Sequence, residues 1–294
     1  MITAVWGALF CALSVWVRQG WAADWRALSR EEVCRQLVES SAQYSCDKMD
    51  GDHLYDGIYC DLLAPLQASG RPVVMLEIGF GCGHHAGSEG SSALVWRRLF
   101  GARLKYFAID LMPQGTPALQ DACWLKFTTK HPGAADRLWF GDQANATLLR
   151  EIQAELSSKH GVRGLNLVID DGSHFYHHIR ASFQFFWPLV VAGGKYVIED
   201  IQADHRVSRV VGKWVEKLAW GESALYANSS DTAFETEVPR GLKRIECAHQ
   251  ICVLHKAGAG ERLPHKGAGH WVRDKRQVYE QRQRAFAKEI TGQL

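Results

Sequence analysis

The sequence predicts an α/β fold in which a mostly parallel sheet carries helices on both faces. Short apolar runs of strand length alternate with longer helical stretches, which is the pattern of βαβ units. The 294 residues are 47% hydrophobic and 22% charged, so the chain can bury one substantial core. Near the carboxyl end, residues 242–247 and 250–255 form two strand-like runs joined by a tight turn. They predict an antiparallel hairpin at the far edge of the sheet.

The remaining elements follow from hydrophobic periodicity and from turn residues. Strands are predicted where apolar runs end in polar residues, at 73–78, 104–110, 138–142, 165–170 and 196–199. Helices are predicted at 30–38, 92–100, 144–157, 177–189 and 204–220, with a solvated, charged helix at 274–289. We divide the chain into a leader (1–22), an amino-terminal helical segment (23–70), the sheet domain (71–257) and a polar tail (258–294).

Residues 5–17 form an almost wholly apolar run that ends at Arg18 and is followed by the small residues Gly20 and Ala22. This arrangement predicts a signal peptide or signal anchor, and so a secretory or membrane-anchored protein in preference to a cytoplasmic one. The run is short for a membrane span, which needs about 20 apolar residues. No lysine or arginine precedes it, and a buried amphipathic helix remains the alternative.

Composition narrows the class of partner. The net charge of +2 is too small for field-driven binding of a polyanion, so we expect a small or medium organic substrate and no nucleic acid. The eight cysteines show no CxxC pair and no zinc-ligand spacing, and they do not decide the redox compartment. Homo-oligomerisation stays open.

A cofactor site is predicted at the ends of the first three strands of the sheet domain. Glu77 is followed by the loop Gly79-Phe-Gly81-Cys-Gly83, where a backbone without Cβ atoms can turn sharply and approach a ligand. Asp110 can accept hydrogen bonds from both hydroxyls of a ribose, and Asp142 and Gln143 can read an adenine. Because no helix opens directly at the last glycine, the pattern favours S-adenosylmethionine over NAD, although such a loop alone can be a mere tight turn.

A metal site is predicted at the ends of the next two strands. Asp170, Asp171 and His174 follow one buried strand, and Glu199 and Asp200 follow the other. The carboxyl ends of parallel strands meet at the edge where open α/β sheets bind ligands, and carboxylate oxygens suit Mg²⁺. The sequence therefore predicts a metal site with a neighbouring base. The alternative is that the aspartates cap turns and that His174 is an ordinary polar residue.

Three residues near these motifs are predicted to have no part in the site. Asp170 is predicted to be structural, and His177 and His178 to be ordinary residues of the next helix.

These motifs resemble the metal-dependent, S-adenosylmethionine-dependent sugar O-methyltransferases of macrolide biosynthesis, of the mycinamicin VI and demethylmacrocin type. The specific part is the pair Ile169-Asp-Asp-Gly-Ser-His174 and Val197-Ile-Glu199-Asp200. The resemblance covers roughly residues 48–205, and its other carriers are the Leu76–Gly81 segment with His84 and His85, Gly141-Asp-Gln143, and more loosely Lys48, His53, Tyr55 and Tyr59.

The resemblance implies a Rossmann-like class I methyltransferase fold that uses S-adenosylmethionine and Mg²⁺ and methylates a hydroxyl of a sugar or glycoside-like small molecule. It implies that Asp171, Glu199 and Asp200 hold the metal and that His174 is the general base. The alternatives are a metal-dependent methyltransferase of a catechol or other phenolic diol, and a binding protein that keeps the fold without turnover.

Overall fold

Seven strands of the described residues form one twisted sheet. In the computed structural model, residues 26–49, 53–83, 88–111, 116–220, 233–261 and 263 are described. The strands are β1 Val73–Ile78, β2 Leu104–Asp110, β3 Arg137–Phe140, β4 Leu165–Asp170, β5 Val190–Ile198, β6 Leu242–Ala248 and β7 Ile251–Lys256. Their order across the sheet is β3-β2-β1-β4-β5-β7-β6.

The pairing direction changes once across the sheet. The strands from β3 to β5 pair in parallel, and β7 pairs antiparallel with β5 and with β6. The chain order reverses between β1 and β4, which is the switch point at which open α/β sheets bind ligands. The mostly parallel sheet and the carboxyl-terminal hairpin are both confirmed.

Helices cover both faces of the sheet. They are α1 Arg30–Tyr44, α2 Asp56–Ala68, α3 Ser91–Phe100, α4 Pro117–Lys130, α5 Ala146–Ser158, α6 Tyr176–Phe186, α7 His205–Trp220 and α8 Ala233–Thr236, with 3-10 turns at Asp47–Met49, Gly101–Arg103 and Trp187–Leu189. Buried side chains of α1 to α4 pack with alternate strand residues such as Met75 and Tyr106. Buried side chains of α5 to α7 pack with the intervening strand residues, such as Leu76 and Phe107, which point to the opposite face of the sheet. The alternation of side chains along each strand thus creates two cores from one sheet.

The amino-terminal segment differs most from its prediction. The helix predicted at 30–38 extends to Tyr44, and it begins at a capping box in which Ser29 and Glu32 exchange side-chain and backbone hydrogen bonds. The amino-terminal helical segment also contains α2, for which no helix bounds were predicted, and α4 was not predicted at all. Buried residues of α1 and α2, Leu37 and Tyr59 among them, belong to the same core as Met75 of β1.

Several predicted features lie outside the described residues. These are the apolar leader within 1–22, the pair His84 and His85, and the charged helix at 274–289. In the part of the chain that is described, no helix combines the length and apolar character needed to cross a membrane.

Candidate functional site

The carboxyl ends of β1, β2, β4 and β5 are held at one level of the sheet. The amide of Gly79 donates to the Ile109 carbonyl at 2.8 Å, that of Asp171 to the Ile78 carbonyl at 2.9 Å, and that of Glu199 to the Asp170 carbonyl at 3.0 Å. These bonds continue the parallel ladders one residue beyond the strands. They bring the glycine loop and both acidic motifs to the same edge.

The glycine loop packs directly against the first acidic motif. Gly79 has a φ of +99°, and a Cβ placed on it would lie 2.1 Å from the carbonyl oxygen of Asp171. The Asp110 carboxylate fixes the rest of the loop, because its Oδ2 accepts from the amides of Phe80 and Cys82 at 3.0 Å each. The loop is therefore anchored to β2 on one side and touches the end of β4 on the other.

A cavity of about 920 Å³ opens above this edge. It is lined at one end by Gly79, Gly81, Asp110, Asp142 and Gln143, and at the other by Asp171, Ser173, His174 and Asp200. Ligand sites that bury most of a small molecule have volumes of about 300–1,000 Å³. One cavity thus joins five of the six residues predicted for the cofactor to three of the four predicted for the metal and the base.

Gln143 is more constrained than the sequence indicates. Its Nε2 donates to Asp170 Oδ1 at 3.0 Å, and its Oε1 accepts from the amide of Ser173 at 3.0 Å. Asp142 is the freer neighbour: it caps the following turn by accepting from the Ala144 amide at 2.7 Å, and 47% of its side chain is exposed. An adenine contact at either residue stays a prediction, and Gln143 also braces the turn that carries His174.

Asp170 has the structural role predicted for it. The carboxylate is buried and accepts from Ser182 at 2.5 Å, Tyr196 at 2.8 Å and Gln143 at 3.0 Å. Burial raises the pKa of Asp170, and these three hydrogen bonds oppose the rise.

Glu77 lies behind the glycine loop and does not line the cavity. Its side chain is fully buried beneath α3, where Oε2 accepts from Ser92 at 2.9 Å, Trp96 at 3.1 Å and Tyr106 at 2.5 Å. Burial raises the pKa of Glu77, and the nearby ammonium of Lys48 opposes the rise. The position favours an internal role over the predicted direct contact with the cofactor.

Two carboxylates and one imidazole converge at the other end of the cavity. Asp171, His174 and Asp200 each place a possible ligand atom within 4.8 Å of the others. His174 and Asp200 have φ values of +61° and +51°, a left-handed conformation that is costly for residues other than glycine and that collects at functional sites. The Nδ1 atom of His174 is buried and has no hydrogen-bond partner among the described residues. Converging oxygen and nitrogen donors with an unpartnered ring nitrogen fit a divalent cation.

Glu199 does not join this cluster directly. It is 1% exposed, its Oε1 accepts from the hydroxyl of Tyr59, and its Oε2 accepts from Lys48 Nζ at 2.6 Å. Burial, followed by the negative charge of Asp171, raises the pKa of Glu199 well above its usual value, and Lys48 opposes this. Glu199 is predicted to bind the metal, but both oxygens of its carboxylate already accept hydrogen bonds.

Asp200 has its own hydrogen-bonding shell. Tyr55 donates to Asp200 Oδ1 at 2.7 Å, His53 Nδ1 lies 3.5 Å from the same oxygen, and His174 Nε2 lies 3.6 Å from Oδ2. Burial alone would raise the pKa of Asp200, but the hydrogen bond from Tyr55, together with the nearby polar side chains, outweighs burial and the pKa is lowered. The carboxylate is therefore ionised at neutral pH.

Sequence reasoning assigned no role to four residues of this site. Lys48, His53, Tyr55 and Tyr59 all contact Asp171, Glu199 or Asp200. The loose match of these four to the related methyltransferases was the available signal. His178 was given no role at the site either. It lines the cavity, and its Nδ1 lies 2.5 Å from Ser173 Oγ.

Comparisons with known proteins confirm the resemblance. The chain is 31% identical over 167 residues to an O-methyltransferase of rhamnosyl-tetracenomycin C from Streptomyces olivaceus, and 34% identical over 129 residues to demethylmacrocin O-methyltransferase from Streptomyces fradiae. The aligned segments cover 56% and 44% of this chain, and 36% and 27% of those relatives. No protein-family model matches the chain.

The fold has a solved counterpart. The MycE methyltransferase of mycinamycin biosynthesis, crystallised with Mg and S-adenosylhomocysteine (SAH), matches with a TM-score of 0.57 at 24% identity, covering 77% of this chain and 54% of that one. This likeness confirms the Rossmann-like methyltransferase fold predicted from the sequence. The chain spans well under two thirds of the length of these relatives.

Proposed function

We propose that this chain is an S-adenosylmethionine- and Mg²⁺-dependent O-methyltransferase that acts on a hydroxyl of a sugar or glycoside. One observation carries the proposal: a single cavity extends from the glycine loop and Asp110 to the cluster of Asp171, His174 and Asp200. The relatives named for sugar hydroxyls, and the related MycE crystallised with Mg and SAH, support the choice of reaction and cofactors.

The two ends of the cavity have separate tasks. At the first end, the backbone of Gly79 and Gly81 leaves room for the donor, and Asp110 offers a carboxylate to its ribose. Holding donor and acceptor in one cavity converts a bimolecular encounter into an oriented one, which can lower the barrier by about 7 kcal/mol or more. S-adenosylmethionine supplies the methyl group.

At the second end, the acceptor hydroxyl has to lose its proton as the new bond forms. His174 is the proposed base, and Asp200, 3.6 Å from Nε2, would stabilise the imidazolium that results. Asp171 and Asp200 would hold the divalent cation, which lowers the pKa of a bound hydroxyl. Tyr55 keeps the Asp200 carboxylate in place through its 2.7 Å hydrogen bond.

A screen of acceptors tests the proposed function. Purified protein is incubated with Mg²⁺, methyl-labelled S-adenosylmethionine and matched panels of glycosides and catechols, and the products are identified by mass spectrometry. We expect label on a sugar hydroxyl, and no label with Asp200→Asn at low Mg²⁺. Label on catechols alone would favour the phenolic alternative, and no transfer to either panel together with no binding of SAH would reject a methyltransferase.

We also propose that the chain matures in an oxidising compartment. Three disulfides occur among the described cysteines, Cys34–Cys60, Cys82–Cys123 and Cys247–Cys252, and such bonds are rare in proteins of the reducing cytosol. Cys46 is the one free thiol of the described region, and burial raises its pKa to about 12. A thiol of this kind is unreactive, so it does not compete in disulfide formation.

A further inference from the structure

The ammonium group of Lys48 lies between the buried carboxylates of Glu77 and Glu199 and the partly exposed carboxylate of Asp171. Its Nζ is 2.5 Å from Asp171 Oδ2, 2.6 Å from Glu199 Oε2 and 3.6 Å from Glu77 Oε1, and 3% of the side chain is exposed. Two of the three partners, Asp171 and Glu199, are residues for which a metal-binding role is predicted. The lysine therefore supplies a positive charge between two proposed metal ligands.

The third carboxylate, that of Glu77, lies farthest from the ammonium. Glu77 Oε1 is buried and has no hydrogen-bond partner among the described residues, whereas its Oε2 accepts three hydrogen bonds. An unpaired buried acceptor costs roughly 1–3 kcal/mol. A displacement of the ammonium by about 0.8 Å would bring it to an ordinary hydrogen-bond distance from this oxygen.

We propose that Lys48 is a movable cation, which joins Asp171 to Glu199 when no divalent cation is bound and shifts to Glu77 when one binds. The inference rests on the divalent cation of the proposed function. An ammonium and a divalent cation that share Asp171 repel each other strongly in a buried site. The shift would reduce this repulsion, satisfy Glu77 Oε1 and weaken the hydrogen bonds from Lys48 to Asp171 and Glu199, so that one oxygen of each can turn toward the cation.

The shift would also give Glu199 its predicted role. Among the described residues, Lys48 is the one hydrogen-bond donor to Glu199 Oε2, so departure of the ammonium opens that oxygen toward the cluster. Glu77 would then be a positioning residue, which acts on the cation site through Lys48 and touches no ligand. Because only Ile78 separates Glu77 from the glycine loop in sequence, the same shift would link cation binding to the donor end of the cavity.

Direct measurement of cation binding tests the proposal without reference to turnover. Calorimetry with Mg²⁺ or Mn²⁺ alone is carried out on the wild type, Glu77→Gln, Lys48→Met and the double variant. Glu77→Gln should weaken binding at least about fivefold, since the displaced ammonium then meets a neutral amide. Lys48→Met should tighten binding, and in that background Glu77→Gln should have no further effect.

Asp170→Asn is the matched control. Asp170 is likewise a buried carboxylate at a strand end with three side-chain donors, but Lys48 is not among them. It therefore measures the general effect of removing one buried negative charge near the site. Because Lys48→Met leaves Asp171 and Glu199 facing each other and can fail to fold, a second readout uses wild-type protein with ¹⁵N-lysine. The Lys48 amine signal, assigned with Lys48→Arg, should shift when Mg²⁺ is added.

The outcomes separate this inference from the proposed function. If the wild type binds a divalent cation while Glu77→Gln weakens binding no more than Asp170→Asn, or if the Lys48 signal does not move, Lys48 is a fixed structural cation and the inference is wrong. If the wild type binds neither cation, the metal dependence of the proposed function fails as well.

Discussion

At the scale of the residue, Gly79 is the position where the two halves of the site meet. A side chain there would collide with the carbonyl of Asp171, and its φ of +99° is one that residues with a Cβ rarely adopt. Gly81 shares the positive φ, at +82°, but has open space around it. The two glycines therefore separate the cost of backbone strain from the cost of a steric clash.

We predict that Gly79→Ala costs more stability than Gly81→Ala. Each substitution should pay a strain of about 1–3 kcal/mol, and Gly79→Ala should add the displacement of Asp171. Urea denaturation of both variants measures the difference, and cation binding reports on Asp171. Equal losses for the two variants would show that the contact between the loop and β4 is not tight in solution.

Which polar residues face the cavity could be predicted only in part. Asp110, Asp142, Asp171, His174 and Asp200 reach it because the ends of parallel strands coincide. Glu77, the penultimate residue of β1, and Glu199, the residue after β5, instead turn toward α3 and α2, where they accept hydrogen bonds from Trp96 and Tyr59. Both lie near Lys48, which is 151 residues away from Glu199 in sequence, and no local pattern could indicate that contact.

At the scale of the element, the Cys82–Cys123 disulfide ties the glycine loop to α4. The loop already receives two hydrogen bonds at Asp110, and the disulfide adds a covalent restraint from the opposite side. A loop that is ordered before the donor arrives loses less conformational freedom on binding. The disulfide should therefore increase affinity for the donor.

Removal of this disulfide by Cys82→Ser with Cys123→Ser should weaken SAH binding about fivefold, equivalent to roughly 1 kcal/mol of additional ordering. The matched control removes Cys247–Cys252, which joins β6 to β7 in the hairpin at the other side of the sheet. We expect SAH binding to be unchanged in the control. Calorimetry measures SAH binding by both variants. If binding is unchanged without Cys82–Cys123, as in the control, the loop is ordered without its disulfide.

The strands were predictable and the helices α2 and α4 were not, for a physical reason. Buried parallel strands are continuous apolar runs, so β1, β2 and β4 were predicted with their observed bounds. In α4 only Phe127 is buried, so no apolar face marks the helix. In α2 a proline at position 65 and a glycine at position 57 conceal the helical pattern.

At the scale of the whole molecule, the pattern of disulfides bears on where the chain is made. Protein isolated from its own cells under acid quenching should yield the three disulfide-linked peptide pairs in non-reducing mass spectrometry, with Cys46 recovered as a thiol. Complete alkylation of all seven described cysteines without prior reduction would instead indicate a reducing compartment.

We propose that Asp171 and Asp200 hold a divalent cation beside the base His174, and that together they activate a hydroxyl for methylation. The most direct test is the rate of methyl transfer to a glycoside as a function of Mg²⁺ after treatment with EDTA, for the wild type, Asp200→Asn and His174→Ala. EDTA should abolish the wild-type rate and Mg²⁺ restore it, while Asp200→Asn should need more Mg²⁺. His174→Ala should remain about a hundredfold slower even at saturating Mg²⁺. Full turnover in EDTA, or a fully active His174→Ala, would contradict the claim.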